Sequence, residues 1–222
     1  MKLEYKKEYE IERDQITSIG PVGSGCDIEI SNDVTEIPPF NFTTCTNLEK
    51  VTLPFSVQKI NQGAFYCCQS LKEVILPDSI KYIGDNAFRE SMELKKINLP
   101  NSIIELGRNI FFNCESLEKL EIPSSVEIIS DSICGYCPNL EEIKINAKCK
   151  LPKHLLYGCN ELKKVYITKE SFDLSPDFIE MYKNKLEIEI INKSLDELLD
   201  ESKSYREANK ALKNAKNLDD NR

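Results

Sequence analysis

The sequence predicts a repeat solenoid: a stack of similar coils with a parallel β-sheet on one face, irregular or short helical turns opposite, and a C-terminal α-helix. Three observations predict it. A phrase of the form Leu-x-x-Val/Ile/Leu-x-Leu/Ile recurs as LEKVTL from Leu48, LKEVIL from Leu71, LKKINL from Leu94, LEKLEI from Leu117, LEEIKI from Leu140 and LKKVYI from Leu162. The steps are 23, 23, 23, 23 and 22 residues, a spacing at which each repeat is one supersecondary unit stacked on the last. A proline recurs just after the phrase, at Pro54, Pro77, Pro100 and Pro123, where its missing N–H stops further ladder pairing.

The totals are those of a folded chain, with 41% hydrophobic and 30% charged residues over 222 positions. The net charge of −8 argues against a nucleic acid as partner, since phosphate binding needs a clustered positive surface. No run of about 18 apolar residues occurs, so no membrane span is expected. The start, MKLEYKKEYEIERDQ, lacks the apolar core of a secretory signal, and a cytoplasmic location is expected, or a cell-surface or secreted one if the N-terminus was trimmed.

Four segments follow in order: an N-terminal cap over 1–25, a solenoid of about six coils over 26–168, a C-terminal cap of short helix plus strand over 169–192, and an amphipathic helix and tail over 193–222. In the cap, Leu3, Tyr5, Tyr9 and Ile11 fall on odd positions, as in a strand or hairpin. Within a coil, the second half of the phrase alternates, so Val74 and Leu76 point inward and Glu73 and Ile75 outward. A second apolar pair follows (Val57 and Ile60, Ile80 and Ile83). An Ala-Phe couple then closes the coil, at Ala64-Phe65 and Ala87-Phe88, with Ile110-Phe111 as its variant. Gly84 and Gly107 are expected in turns with unusual backbone angles. The chain has nine cysteines. Cys45, Cys68, Cys114, Cys137 and Cys159 each precede a repeat leucine by three positions, with Ser91 in the same column. They are expected as small buried hydrophobes rather than as disulfides, which an odd count and the lack of a signal disfavour.

Written out, the unit is C-x-x-L-x-x-V-x-L-P-x-S-V/I-x-x-I-x-x-x-A-F, best seen in CQSLKEVILPDSIKYIGDNAF, residues 68–88. This phrase is similar to the BspA-type (treponemal-type) leucine-rich repeat over about residues 45–168, with a degenerate first coil near Cys26. The segment YITKESFDLSPDFIEMYKNK, residues 166–185, resembles the usual end of such arrays. The resemblance implies a curved leucine-rich repeat solenoid used for protein or surface-ligand binding and adhesion. It carries over no catalytic residue and no cofactor, and many members are exported.

At the far end, LEIEII (186–191) reads as a strand, and Ser194 to Glu197 as a capping box for a helix over about 195–217. Leu195, Leu198, Leu199, Tyr205, Ala208, Leu212 and Ala215 lie largely along one side of that helix. Its acids come first and its bases last, which suits the helix dipole. The helix either packs or projects on its own, or it serves a partner or self-association.

Three motifs suggest chemistry and are read as structural. Cys134-Gly-Tyr-Cys137 spells a redox pair, but Cys137 is a repeat position and no helix N-terminus follows to stabilise a thiolate. A metal pair with Cys114 or Cys159 lacks a second ligand pair at zinc-site spacing. Gly20-Pro-Val-Gly-Ser-Gly25 has the glycines of a phosphate loop, yet Cys26-Asp27 replaces its Lys-Ser/Thr and a strand follows. His154, the only histidine, is expected on a solvated turn.

No enzyme activity is therefore expected. The candidate protein-binding face is formed by two outward columns: Lys50, Glu73, Lys96, Lys119, Glu142 and Lys164, and Thr52, Ile75, Asn98, Glu121, Lys144 and Tyr166. Neighbours in a column of a parallel stack lie about 4.8 Å apart, so mixed signs allow partial pairing. Either that pairing leaves a self-satisfied solvated face, or Ile75 and Tyr166 serve as apolar contacts for a partner. The function expected is a non-enzymatic protein-interaction module. The alternative is a structural or adhesive surface protein that self-assembles or contacts a host surface.

Overall fold

A computed structural model describes residues 16–19 and 26–191. The chain divides after Ile190, and the described elements belong to the first unit, the last strand running one residue past it. Leu3, Tyr5, Tyr9 and Ile11, the Gly20–Gly25 segment and the helix expected over 195–217 lie outside the described residues.

The chain winds as a parallel-strand β-solenoid of the leucine-rich repeat kind, with two strand-bearing sides. On the front lie β1 (Ile16–Ile19), β2 (Cys26–Ile30), β4 (Leu48–Thr52), β6 (Glu73–Ile75), β9 (Lys119–Ile122), β11 (Glu142–Ile145), β12 (Lys164–Thr168) and β13 (Glu187–Ile191). They form two four-stranded sheets, β1-β2-β4-β6 and β13-β12-β11-β9. β1 runs antiparallel to β2, whereas β2, β4 and β6, and β9, β11 and β12, pair parallel at one-coil offsets. Opposite them lies a second parallel sheet of two-residue strands, with order β10-β8-β7-β5-β3. Its members are β3 (Glu36–Ile37), β5 (Lys59–Ile60), β7 (Tyr82–Ile83), β8 (Glu105–Leu106) and β10 (Ile128–Ile129). This sheet holds the second member of each coil's second apolar pair, Ile60 and Ile83, with Val57 and Ile80 just before its strands.

The repeat positions fill the core. Leu48, Leu71, Leu94, Leu117 and Leu140 are buried, as are Val51, Val74, Ile97, Leu120 and Ile143 beside them. Glu73 and Ile75 face outward as the alternation predicts, while Leu76 is only partly buried. The closing phenylalanines stack face to face: Phe42 on Phe65 at 5.2 Å, Phe65 on Phe88 at 5.3 Å and Phe88 on Phe111 at 5.8 Å. Each repeat proline turns the chain by accepting, through its carbonyl, from the third residue on, as in Val57 N–H to Pro54 O at 3.1 Å.

Polar repeat positions tie each coil to the one before it. The serine two places after the proline donates to a carbonyl 22 residues back, at 2.6–2.7 Å: Ser56 to Val34, Ser79 to Val57, Ser102 to Ile80 and Ser125 to Ile103. In the cysteine column the thiol donates to the closing residue of the preceding coil: Cys68 to Phe42 O, Cys114 to Phe88 O and Cys137 to Phe111 O, at 3.0–3.2 Å. Ser91 makes the same bond to Phe65 O. Cys68, Ser91, Cys114 and Cys137 are therefore small, buried donors, which extends the expectation of a plain hydrophobe, while Cys45 and Cys159 at the two ends of the column are only partly buried. Burial pushes the Cys114 thiol pKa up to about 12.

Five closing turns each hold two residues with left-handed backbone, and the last holds one. One set is Phe40, Gly63, Asn86, Asn109 and Ser132; the other is Thr44, Cys67, Glu90, Asn113, Tyr136 and Gly158. Between them alternate N–H groups point to the next coil, as in Phe65 N–H to Ala87 O and Cys67 N–H to Arg89 O at 2.8 and 2.9 Å. Gly84 and Gly107 are not among the positive-φ residues, which corrects the expectation placed on them. Glycine is needed there because the previous coil lies too close for a side chain. A Cβ on Gly84 would lie 2.7 Å from Gln62 N, and one on Gly107 would lie 2.6 Å from Asp85 N. Gly107→Ala is expected to destabilise by about 1–3 kcal/mol, the usual cost of overpacking. Urea denaturation checks this, and a loss within the few tenths typical of a surface change would contradict it.

The C-terminal cap is α1 (Lys169–Leu174) and α2 (Pro176–Tyr182), followed by β13. Thr168 caps α1 by accepting from Ser171 N–H. The cap supplies hydrogen bonds that the last loop, 147–156, lacks. Ser171 Oγ lies 2.7 and 2.9 Å from the carbonyls of Ala147 and Cys149 and accepts from Cys149 N–H at 3.2 Å. Ser175 Oγ accepts from Leu151 N–H at 2.8 Å, and the Tyr182 hydroxyl from Leu156 N–H at 3.3 Å.

Candidate protein-binding face

All twelve residues of the two outward columns lie on the front side, and none is buried. β4, β6, β9, β11 and β12 carry ten of them, in the register expected: Lys50 beside Glu73, Lys119 beside Glu142, and Lys144 beside Tyr166. Lys96 and Asn98 sit on coil three, whose 94–99 segment forms no strand. The front side is therefore two sheets rather than one, although the back sheet runs through the same coil without a break.

Charges on this side are paired at its two ends. Lys50 Nζ lies 3.0 Å from Glu73, Lys144 3.3 Å from Glu121, and Lys164 2.7 and 3.5 Å from Glu189 and Glu187. Lys164 also lies over the Tyr166 ring at 5.0 Å. The Glu189 hydrogen bond, then that of Tyr166, raises the Lys164 pKa above its ordinary value. Around coil three the pattern changes. Lys95, Lys96 and Lys119 are exposed, and among the described residues none of them forms an ion pair. They border a depression of about 500 Å³. Lys96, Asn98, Lys119, Glu121, Glu142 and Lys144 of the two columns line it. The opened sheet thus gathers half of the expected face around one concavity.

The motifs of catalytic appearance are structural here. Cys134 falls 23 residues after Phe111 and is fully buried. It stands in the closing-phenylalanine column, so both cysteines of CGYC are repeat positions. Burial holds the Cys134 thiol pKa well above its ordinary value, the opposite of what thiolate chemistry needs. A Cys137 hydrogen bond lowers the Cys159 pKa, while Cys159 itself donates to Cys134 O at 2.9 Å. Among the described residues no cluster of three or more His, Cys, Asp or Glu is placed to hold a metal. His154 is exposed and meets the Tyr157 ring edge-on at 6.2 Å.

A second surface escaped the sequence reading. Along the closing turns Arg89 lies over Phe112 at 4.6 Å and near Tyr66 at 5.9 Å. Phe112 meets Tyr136 at 5.1 Å, and Tyr136 meets Tyr157 at 5.3 Å. The signal was available one and two positions after the closing residue, where Tyr66, Arg89, Phe112, Tyr136 and Tyr157 fall.

Comparison with known proteins bears on the repeat. The family model described as BspA type leucine rich repeat region matches six copies, over residues 24–132 and 58–183. Three solved structures share the architecture. A leucine-rich repeat protein of T. pallidum is 24% identical with a TM-score of 0.59, the match covering 82% of this chain and 98% of that one. One from Bacteroides ovatus is 24% identical with a TM-score of 0.60, covering 70% of this chain and 46% of that one. The pneumococcal vaccine antigen PcpA is 22% identical with a TM-score of 0.60, covering 76% and 42%. The chain therefore spans nearly all of the first and under half of the other two. No curated protein matches the sequence.

Proposed function

The chain belongs to the BspA-type leucine-rich repeat family, and from that premise we propose a non-enzymatic protein-interaction module that binds a partner through the depression at coil three. Leucine-rich repeats of this kind are interaction or surface-type modules, and no helix among the described residues is long and apolar enough to cross a membrane. The observation that carries the reading is the set of exposed lysines, Lys95, Lys96 and Lys119, without ion-pair partners at a concavity of about 500 Å³. The other lysines of the columns, Lys50, Lys144 and Lys164, are paired with glutamates, the Lys144–Glu121 pair lying in the same lining. Glu118 and Glu142 of the same lining also form no ion pair among the described residues. Three unpaired lysines thus outweigh two unpaired carboxylates, a balance that favours a partner segment bearing carboxylates, since complementary potentials speed encounter and fix register.

Charge reversal at Lys96 and Lys119 together tests it. The double variant is expected to capture its partner from the native host about tenfold less well, each lost pair contributing up to about 1 kcal/mol. The partners are read by mass spectrometry beside the unaltered chain and a Lys59→Glu control on the back sheet. Equal recovery by all three proteins would move binding off this face.

A further inference from the structure

We propose that the recess between the last coil and α2 is a sugar-binding site that takes a carboxylated pyranose, such as a glucuronic acid unit ending a glycan. This site is separate from the front depression, and its occupation does not depend on that reading. The recess encloses about 430 Å³, within the size range of ligand sites. Two tyrosines form its mouth. Tyr136 and Tyr157 are 45% and 53% exposed, their rings 5.3 Å apart and inclined at 77°. Two rings set nearly at right angles form a corner, in which one offers a face and the other a wall. An apolar C–H face of a pyranose fits such a corner, with the phenols left at its polar edge.

The polar groups match the rest of that ligand. The Tyr157 phenol beside Tyr136 raises the Tyr136 pKa above its ordinary value. Asn160 on the rim offers a donor and an acceptor together, as paired ring hydroxyls require. Its amide makes no hydrogen bond among the described residues. Lys185 is the only charged group of the lining, which contains no carboxylate. It is exposed and forms no ion pair among the described residues. In a chain of net charge −8, a recess whose single charge is positive selects an anion. Leu156, Leu162, Met181 and Leu186 form the floor, which suits the carbon face of the ring.

Titration of the full chain with glucuronic acid, glucose and N-acetyl-leucine, followed by protein NMR, decides the point. Glucuronic acid is expected to bind saturably and more tightly than glucose. Tyr157→Ala should weaken both sugars about tenfold, the worth of one stacked ring. Lys185→Gln, an exposed change, should weaken glucuronic acid about threefold and leave glucose as it was. No saturable binding, or equal binding of the two sugars, would overturn the proposal. Tighter binding of N-acetyl-leucine would also overturn it, by making the recess a site for peptide termini.

Discussion

Replacement of Phe88 by alanine is expected to lower stability by about 3–5 kcal/mol, the usual cost of emptying a buried aromatic position. Phe88 is fully buried, with rings stacked on both sides at 5.3 and 5.8 Å. The coil that Phe88 closes could relax into the space only by disturbing its own ties. Phe88 N–H donates to Ile110 O, and Phe88 O accepts from the Cys114 thiol. Because coils contact only their neighbours, stability is a chain of local terms. A loss in the middle therefore weakens the join between the two halves as well as the whole. Urea unfolding is expected to broaden or to split into two steps, while Phe88→Leu should keep one step and cost less than about 1.5 kcal/mol. A single sharp transition for the alanine variant, with a loss under 1 kcal/mol on the same scale, would show that the stack is not what joins the coils.

Ser171→Val is expected to cost about 2–4 kcal/mol through a different mechanism. The substitution replaces the hydroxyl with a methyl and adds a second methyl, so it leaves Cys149 N–H and Cys149 O without the hydroxyl that serves both. Both lie under a fully buried side chain, and an unsatisfied buried group costs about 1–3 kcal/mol. Ala147 O retains its bond from Thr168 Oγ1, which limits the loss. Ser171→Thr preserves the hydroxyl and separates the bonding effect from the shape effect. Hydrogen exchange of the Cys149 amide reports the change directly; protection equal to that of the unaltered chain would mean that water or another group replaces the serine.

Most of the solenoid was legible because its information is columnar. Leu71, Val74, Pro77 and Phe88 each repeat at one spacing, and one alignment places them in the core, at the strand end and in the closing stack. The outward columns were legible for the same reason. What the alignment did not show depends on neighbouring coils rather than on any one of them. LKKINL spells the same strand as its relatives, yet it forms none. Lys96 and Lys119 are the one like-charged pair of neighbours in their column, and like charges directly opposite weaken strand pairing. Gly84 and Gly107 were misjudged because a close approach is a property of the preceding coil. The left-handed positions were hidden because Asn86, Glu90 and Tyr136 occupy them in place of glycine. CGYC misled by spelling: Cys134 stands where its relatives carry phenylalanine.

The serine and cysteine ties carry a consequence for how such a chain changes over generations. Each spans 22 or 26 residues, reaching the adjacent coil and never the one beyond it. Excising or duplicating a whole period leaves every hydroxyl and thiol opposite an equivalent carbonyl. A gain or loss of a few residues would leave them opposite nothing. The length of the array is therefore free to vary in steps of one coil, while the outward side chains vary one at a time. One lineage can thus lengthen its binding surface and alter its chemistry as separate events.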